Sequence, residues 1–504
     1  MKSTINISRI KGYILTVCVL ASCAVLKAQE PDIVYFLRDV PQSNRLNPAI
    51  TPSYTGYLGG VVVPFVGQIL PPVNIIYQNN SFAVSDLVFK NNDPKKYGDS
   101  LVTVFHDDAK GKAFANSLKP IVRMDIFFNL DLLNFGYKIG DNMMFNFSIM
   151  EKVETGVSFP RDIIRLSLYG NHPKSFPDPV VDLSGFGASA THYREYAAGG
   201  IYTVSEILSL GAKVKALSGM SNLNMKKTDI KWLTDADTKA FKFNADFDIY
   251  ASQPFYKIDT LVWDKGKKEL KMVDSMMTEG FKTKDYVNYA LNFDNPGFAF
   301  DFGVFYTPIE KVNIYASVTD FGFIKWKKNT MNLKAYDKDG KGIVFEGIDV
   351  RQVFDNGEGY LSSYLDTLIS KAELELKNDV TYKTQTAMKL YAGAEYKIYD
   401  FLGVGFLYKG IQWHEEFLST FTFSANVNKD GLGAVVSYSI SKEYKNSLGA
   451  GIALRFGPWQ TYIMTDNAMS FIKPQDAQKI TLRFGTNWLF GYKKREAALM
   501  PPGM

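Results

Sequence analysis

Cysteine is almost missing from this 504-residue chain: only Cys18 and Cys23 occur. Both fall in the first 28 residues, so a chain cut after Ala28 has no thiol. That excludes disulfide bracing, thiol nucleophiles and cysteine metal sites. Histidine is scarce too. His106, His172, His192 and His414 are the four present, and none stands at metal-ligand spacing from another. There is no P-loop and no Gly-x-Ser-x-Gly elbow, and Gly185-Phe186-Gly187 is too short for a nucleotide fingerprint. No cofactor is expected. Long apolar runs are missing as well. The nearest after the N-terminus, residues 58–77, is broken by Pro64, Pro71, Pro72 and several glycines. It reads as two strands and a turn, and no helical membrane span is expected.

Net charge is small once the N-terminus is set apart. Lys2, Arg9 and Lys11 form a basic start, residues 13–26 are an apolar run, and Ala28 precedes Gln29. This is the pattern of a secretory signal peptide over residues 1–28. Leu20-Ala21-Ser22-Cys23 also resembles a lipobox, but apolar Ala24, Val25 and Leu26 continue past the cysteine. The leader holds four basic residues and no acid, which leaves 53 basic against 52 acidic residues. A nucleic-acid partner loses its electrostatic support.

What is present is aromatic, glycine-rich and alternating. Phe and Tyr number 37 and 29, glycine 39, and mean hydropathy is -0.11. Phe298, Phe300, Phe302, Val304 and Tyr306 share one face of a strand, with Ala299, Asp301 and Gly303 on the other. Met388, Leu390, Ala392, Ala394 and Tyr396 oppose Lys389, Tyr391, Gly393 and Glu395. Leu448, Ile452, Leu454 and Phe456 oppose Gly449, Gly451, Ala453 and Arg455. Period-two alternation means strands whose two faces meet different surroundings. Turn residues such as Gly140-Asp141-Asn142 and Gly457-Pro458 separate successive runs, as in antiparallel hairpins. The stretches 93–119, 226–237, 253–289 and 329–384 read as charged, irregular insertions. Helical spacing marks residues 360–376 and a short stretch at 161–169.

A soluble sandwich would place many Lys and Glu on its outer face. Here the second face is Gly, Ala, Ser, Thr and Asn with single charges, which suits the inside of a barrel. Short turns at one end and long loops at the other are the asymmetry of a membrane barrel. The expected fold is all-β: a closed antiparallel transmembrane β-barrel of about 14 strands, within roughly 12–16, with long extracellular loops. Residues 29–55 form a segment lodged in the lumen, 56–490 the barrel, and 491–504 a periplasmic tail. Lys or Arg at the lipid midplane costs about 2–4 kcal/mol, so Asp301, Lys389, Glu395, Arg455 and Arg483 are assigned to the lumen, where paired charges would brace it. The last strand puts Leu482, Phe484, Thr486, Trp488 and Phe490 toward lipid. Arg483, Gly485, Trp488 and Phe490 match the terminal signal that the barrel-assembly machinery reads, although 14 residues follow Phe490.

Three stretches carry a family resemblance: Gln42-Ser43-Asn44-Arg45-Leu46-Asn47-Pro48-Ala49; residues 210–219, beginning Leu210-Gly211-Ala212-Lys213; and Gly457-Pro458-Trp459-Gln460-Thr461-Tyr462 with Thr465-Asp466-Asn467 and the final strand. Together, over most of residues 29–493, the chain resembles an uncharacterised, domain-of-unknown-function family of outer-membrane barrels from Bacteroidetes. Asn47-Pro48-Ala49 is similar to the hatch motif of fatty-acid transporter barrels, whose N-terminal segment plugs the lumen. Barrels associated with type IX secretion share that design. The Asn-Pro pair also suits a plain turn.

The resemblance implies the outer membrane as location and outer-membrane lipid as surroundings. Transport of hydrophobic small molecules is one expected role, and it calls for an apolar ligand near Asn47–Ala49; a solid, fully braced lumen would sink it. The alternative is a scaffold or accessory barrel in envelope secretion or surface-protein assembly, with a protein partner on the long loops. An outer-membrane enzyme comes third, with His192 the least ordinary candidate. If the leader is cut after Ala28, protein isolated from the envelope stays unlabelled by maleimide even when denatured. A labelled or lipid-modified Cys23 would overturn that cleavage site.

Overall fold

In a computed structural model of the chain, the residues described are 32–61, 72–91, 101–106, 108–169, 180–234, 241–254, 260–264, 269–273, 287–289, 291–337, 343–345, 372–413, 416–429 and 431–491. Fourteen staves close into one antiparallel barrel. They are β1 (Gly56–Gly59 continued by Val73–Asn79), β2 (Ile121–Ile139), β3 (Met143–Pro160), β4 (Gly187–Ser205) and β5 (Leu208–Thr234). Then come β6 (Phe241–Ser252 with Asn295–Ile309), β7 (Val312–Trp326 with Thr330–Asp337) and β8 (Ala372–Asn378, Tyr382–Gln385 and Lys389–Tyr399). The rest are β9 (Leu402–Trp413), β10 (Glu416–Lys429), β11 (Leu432–Ser441), β12 (Ser447–Phe456), β13 (Trp459–Thr465) and β14 (Lys479–Phe490). Each pairs with the next, and β14 returns to pair with β1, Gly56 opposite Phe490 and Val73 opposite Phe484. Lipid offers no hydrogen bonds, so closure is the only way strands can satisfy their backbone there.

The alternation read from the sequence is the alternation of the wall. Phe298, Phe302, Val304, Phe406, Phe421, Phe423, Tyr438, Leu448, Ile452 and Phe490 are exposed on the outside. Asp301, Tyr391, Glu395, Ser424, Asn426 and Arg483 are buried within. At one end the staves join by tight turns. Phe456 pairs with Trp459 across Gly457-Pro458, and Gly457 has φ of 60°, the glycine-first form that matches the twist of a hairpin. The longest connections lie at the other end, as expected.

Several local expectations change. Residues 226–237 are not irregular: β5 runs as strand to Thr234. A membrane crossing needs about 9–11 residues, and β5 has 27, so β5–β8 continue beyond the lipid. There both faces are wet, and the period-two signal that marks a strand disappears. Of residues 360–376, those from Ala372 on are strand, not helix, held by pairing with Met331–Asp337; residues 360–371 lie outside the described residues. The stretch 93–119 contains the helix Asp108–Ser117, and 253–289 contains the hairpin Thr260–Asp264 with Glu269–Val273. The helix Arg161–Tyr169 is present. The leader 1–28 and residues 492–504 of the tail lie outside the described residues.

Residues 58–77 give two strand pieces that are not paired with each other, and residues 62–71 between them, where the turn was expected, lie outside the described residues. Both halves of β1 pair with the same neighbours, β2 and β14, so they are collinear parts of one interrupted stave. Replacing lipid-facing Phe423 by Arg should lower folding stability in bilayers by about 2–4 kcal/mol, while a polar substitution at inward Ser424 costs less. Reversible urea unfolding in lipid vesicles measures both.

Candidate functional site

Among the described residues, the largest apolar cluster lies inside the barrel. Residues 32–55 double through the lumen in two 3-10 turns, Asp32–Phe36 and Pro41–Arg45. Ile33, Val34, Tyr35, Phe36, Leu37, Val40, Leu46 and Ile50 pack with inward Tyr315, Tyr391, Leu407, Val435, Ala453, Tyr462 and Met464. Full burial of one large aliphatic side chain contributes roughly 1.5–3 kcal/mol. The small residues of the inward face now have a reason. A Cβ on Gly405 would meet the Phe36 ring at 2.5 Å, and one on Gly449 or Gly451 would meet Ile33 at 3.0 Å. Tyr35 is enclosed, and burial pushes its hydroxyl well above the usual tyrosine range.

Asn47-Pro48-Ala49 sits on two glycines. Gly211 of β5 and Gly303 of β6 are directly paired across the wall. A Cβ on Gly303 would come within 2.1 Å of Asn47 Oδ1, and one on Gly211 within 2.2 Å of the Pro48 carbonyl. The flat patch lets the segment's backbone lie against the sheet, a use of strand glycine that sequence can flag. Asn47 organises the bend. Its Oδ1 accepts from the Ala49 amide at 2.9 Å, and its Nδ2 donates to Tyr35 Oη at 2.8 Å and to the Val304 carbonyl at 3.1 Å. No described cavity is bounded by Asn47, Pro48 and Ala49 together.

Polar contacts fasten the segment around the wall. Arg38 pairs with Glu395, Arg45 with Asp131 at 2.6 Å, and Lys409 of β9 with Asp32 at 2.6 Å. Lys213 donates to the Asn44 carbonyl at 2.9 Å and Ser317 to the Leu46 carbonyl at 2.5 Å. Beside the segment lies a charge network. Asp320 accepts from Lys389 at 2.5 Å and Lys215 at 2.6 Å, with Lys152 at 3.2 Å. Lys152 also reaches Glu195 at 2.6 Å, and Lys215 reaches Asp301 at 2.8 Å. Three lysines thus face three carboxylates. The void among them is only about 30 Å³. The roomy part of the lumen, about 1000 Å³, is a bowl at the short-turn end, floored by Leu37–Val40 and walled by Glu395, Lys397, Arg455 and Gln460.

Four of the five charges read as inward are buried: Asp301 and Lys389 in the network, Glu395 against Arg38, and Arg483 in β14. Arg455 lies instead at the rim of the bowl, donating to the Gly457 carbonyl at 3.3 Å. Of the terminal-signal residues, Gly485 is buried against Pro72, Trp488 is half-buried and Phe490 is exposed. Asp320 was not anticipated. It has φ of 57° at a bulge in β7, where the pairing skips between Phe300 and Phe302. The bulge turns Thr319 and Asp320 both inward, out of simple alternation. His192 is on the outer face of β4, hydrogen-bonded to Tyr289 Oη at 2.5 Å and facing Glu151 at 3.1 Å. Among the described residues no group of His, Cys, Asp and Glu is arranged to hold a metal.

The chain belongs to a family of unknown function, DUF5723, which matches residues 48–466. No curated protein matches the chain in sequence. Among solved structures it is similar to the toluene transporter TbuX of Ralstonia pickettii, at 9% identity and TM-score 0.40, over 90% of this chain and 94% of that one. It is also similar to the toluene transporter TodX of Pseudomonas putida, at 7% identity and TM-score 0.37, over 92% and 93%. A FadL homologue of Pseudomonas aeruginosa gives 9% and 0.37, over 93% and 96%. At these values the likeness carries no argument about function. Removing one partner of a buried charge network costs about 3–5 kcal/mol, so Asp320→Asn should destabilise the barrel by that order in urea unfolding. Asp182→Asn, at an exposed position, should be nearly silent.

Proposed function

We propose that the chain is an outer-membrane barrel that passes hydrophobic small molecules when its N-terminal segment is displaced. One observation carries this reading: Ile33–Leu37 fill an aromatic, apolar site on the lumen wall. A water-filled pore has no use for such a wall. With the segment withdrawn, Tyr315, Tyr391, Leu407, Tyr462 and Met464 would present a concave apolar surface, the usual setting for a small apolar ligand. The bowl of about 1000 Å³ leaves the lumen short of solid, and the bracing beyond it rules out a permanently open route, so the proposed route is gated. The fastenings are ion pairs and hydrogen bonds, which a two-state segment can exchange for water.

The same closed lumen favours a second reading, a scaffold whose long loops hold a protein partner in envelope secretion or surface assembly. The terminal residues Arg483, Gly485, Trp488 and Phe490 are then, in either reading, proposed contacts for the assembly machinery. The enzyme reading has no comparable support, since His192 stands on the outer wall with a phenol and a carboxylate as neighbours.

Trapping the segment separates the readings. In a chain lacking Cys18 and Cys23, Asn47→Cys with Gly303→Cys should form a disulfide that stops passage of a fluorescent apolar probe into vesicles. Reduction should restore it. Passage that ignores the trap, or no passage in any state, sinks the transport reading. Purification from the native envelope in mild detergent tests the scaffold: a stoichiometric protein lost on deleting residues 346–371, which spares the paired strands within 329–384, supports it, and a lone barrel with bound lipid or fatty acid opposes it.

A further inference from the structure

The wall has a weak place, and the segment crosses it. Pairing of β1 stops at Gly59, opposite Asn487, and resumes at Val73, opposite Phe484. On the other flank it stops opposite Asn134 and resumes opposite Leu130. Gly60, Val61 and Pro72 are not strand, so among the described residues the β1 ladder is interrupted at this height; residues 62–71 lie outside them. Asp131 stands at the interruption, at a bulge of β2. Its carbonyl accepts from the Val61 amide at 2.9 Å, and its amide donates to the Pro72 carbonyl at 3.1 Å. The described residues on both sides of the break, Val61 and Pro72, are thus tied to one residue.

The carboxylate of that residue points at the luminal segment. Arg45 Nη1 donates to Asp131 Oδ1 at 2.6 Å, and Gln42 Nε2 lies 3.4 Å from Oδ2. Gln42 also exchanges two hydrogen bonds with Asn487 of β14, at 2.9 and 3.1 Å. Asn487 in turn donates to Gln460 of β13 at 3.1 Å. One buried amide side chain therefore touches both staves that flank β1, at the height where the β1 ladder is broken.

We propose that Gln42, with Arg45, is a brace that holds the barrel wall shut at the interruption of β1, so that the position of the luminal segment sets the integrity of the wall. This deepens the transport reading, on which its functional consequence rests. The brace works by geometry. A hydrogen-bonded amide reaches from Asp131 of β2 to Asn487 of β14 at the height where β1 is not strand, and Arg45 neutralises the Asp131 carboxylate that faces it.

Hydrogen exchange of the full chain in lipid nanodiscs tests it. Gln42→Leu keeps the bulk of the side chain and removes its hydrogen bonds. Exchange in residues 56–61 and 73–79 should rise about tenfold, the scale of one or two lost buried hydrogen bonds, while β9–β12 keep their rates. Arg38→Leu loosens the segment at the opposite wall and should leave residues 56–61 and 73–79 protected. Unchanged protection there in Gln42→Leu overturns the proposal, as does an equal rise in Arg38→Leu. Transport is read separately, with the disulfide trap of the double variant Asn47→Cys, Gly303→Cys. If the wall loosens but probe passage ignores that trap, transport fails and the brace stands. If the trap blocks passage but Gln42→Leu leaves the wall protected, the brace fails and transport stands.

Discussion

Backbone hydrogen bonding in a medium without water is the constraint from which this structure follows. Strands in lipid have no partners except each other, so the sheet must close, and an even number of staves lets the last pair antiparallel with the first. Closure then dictates side-chain chemistry. One face of every stave meets hydrocarbon and becomes aromatic or aliphatic. The other meets whatever fills the ring. Here the filling is the chain's own N-terminal segment, and the barrel resembles a globular protein turned inside out, with its core in the lumen and its grease outside.

That filling explains why the inward face is small and sparsely charged. Glycines at 211, 303, 405, 449 and 451 are spaces left for Pro48, Asn47, Phe36 and Ile33. The charges of the network beside the segment are matched. Asp320 collects three ammonium groups, and neighbouring Glu195 and Asp301 balance two of them. Buried charges left alone would be expensive, so pairing is a condition of placing them inside at all. The segment is held by several separate contacts around the ring, none of them covalent.

Much of the barrel was legible because two solvents write two faces onto each strand. Phe298 to Tyr306 and Leu482 to Phe490 could be assigned inside and outside from alternation alone. Legibility failed where one solvent surrounds the strand. Above the lipid, Lys226–Thr234 and Ala372–Asn378 are strand by pairing with distant residues, and no local pattern records that. Bulges were hidden for a related reason: one extra residue at Asp320 or Asp131 shifts the phase, and only the partner strand reveals the shift. Asn47-Pro48-Ala49 was visible as a bend, but its seat on Gly211 and Gly303 joins positions far apart in the chain. Gln42 and Arg45 stood in the stretch that carries the family resemblance, but nothing local marked them as buried contacts, since a lone Arg or Gln in a loop is ordinarily solvated.

The location of Asp32 has a consequence for biogenesis. The first described residue is deep inside a ring whose final joint, β14 on β1, is made by residues near the other terminus. Threading that doubled, bulky segment through a finished ring would require it to unfold and pass the narrow interior. Closing the β14–β1 joint around residues 32–55 avoids the passage, as a hoop is fastened around a bundle already gathered. The segment is then a template as well as a filling: the staves that contact Asp32, Arg38 and Arg45 lie on different sides of the ring, and one short stretch sets the distance between them.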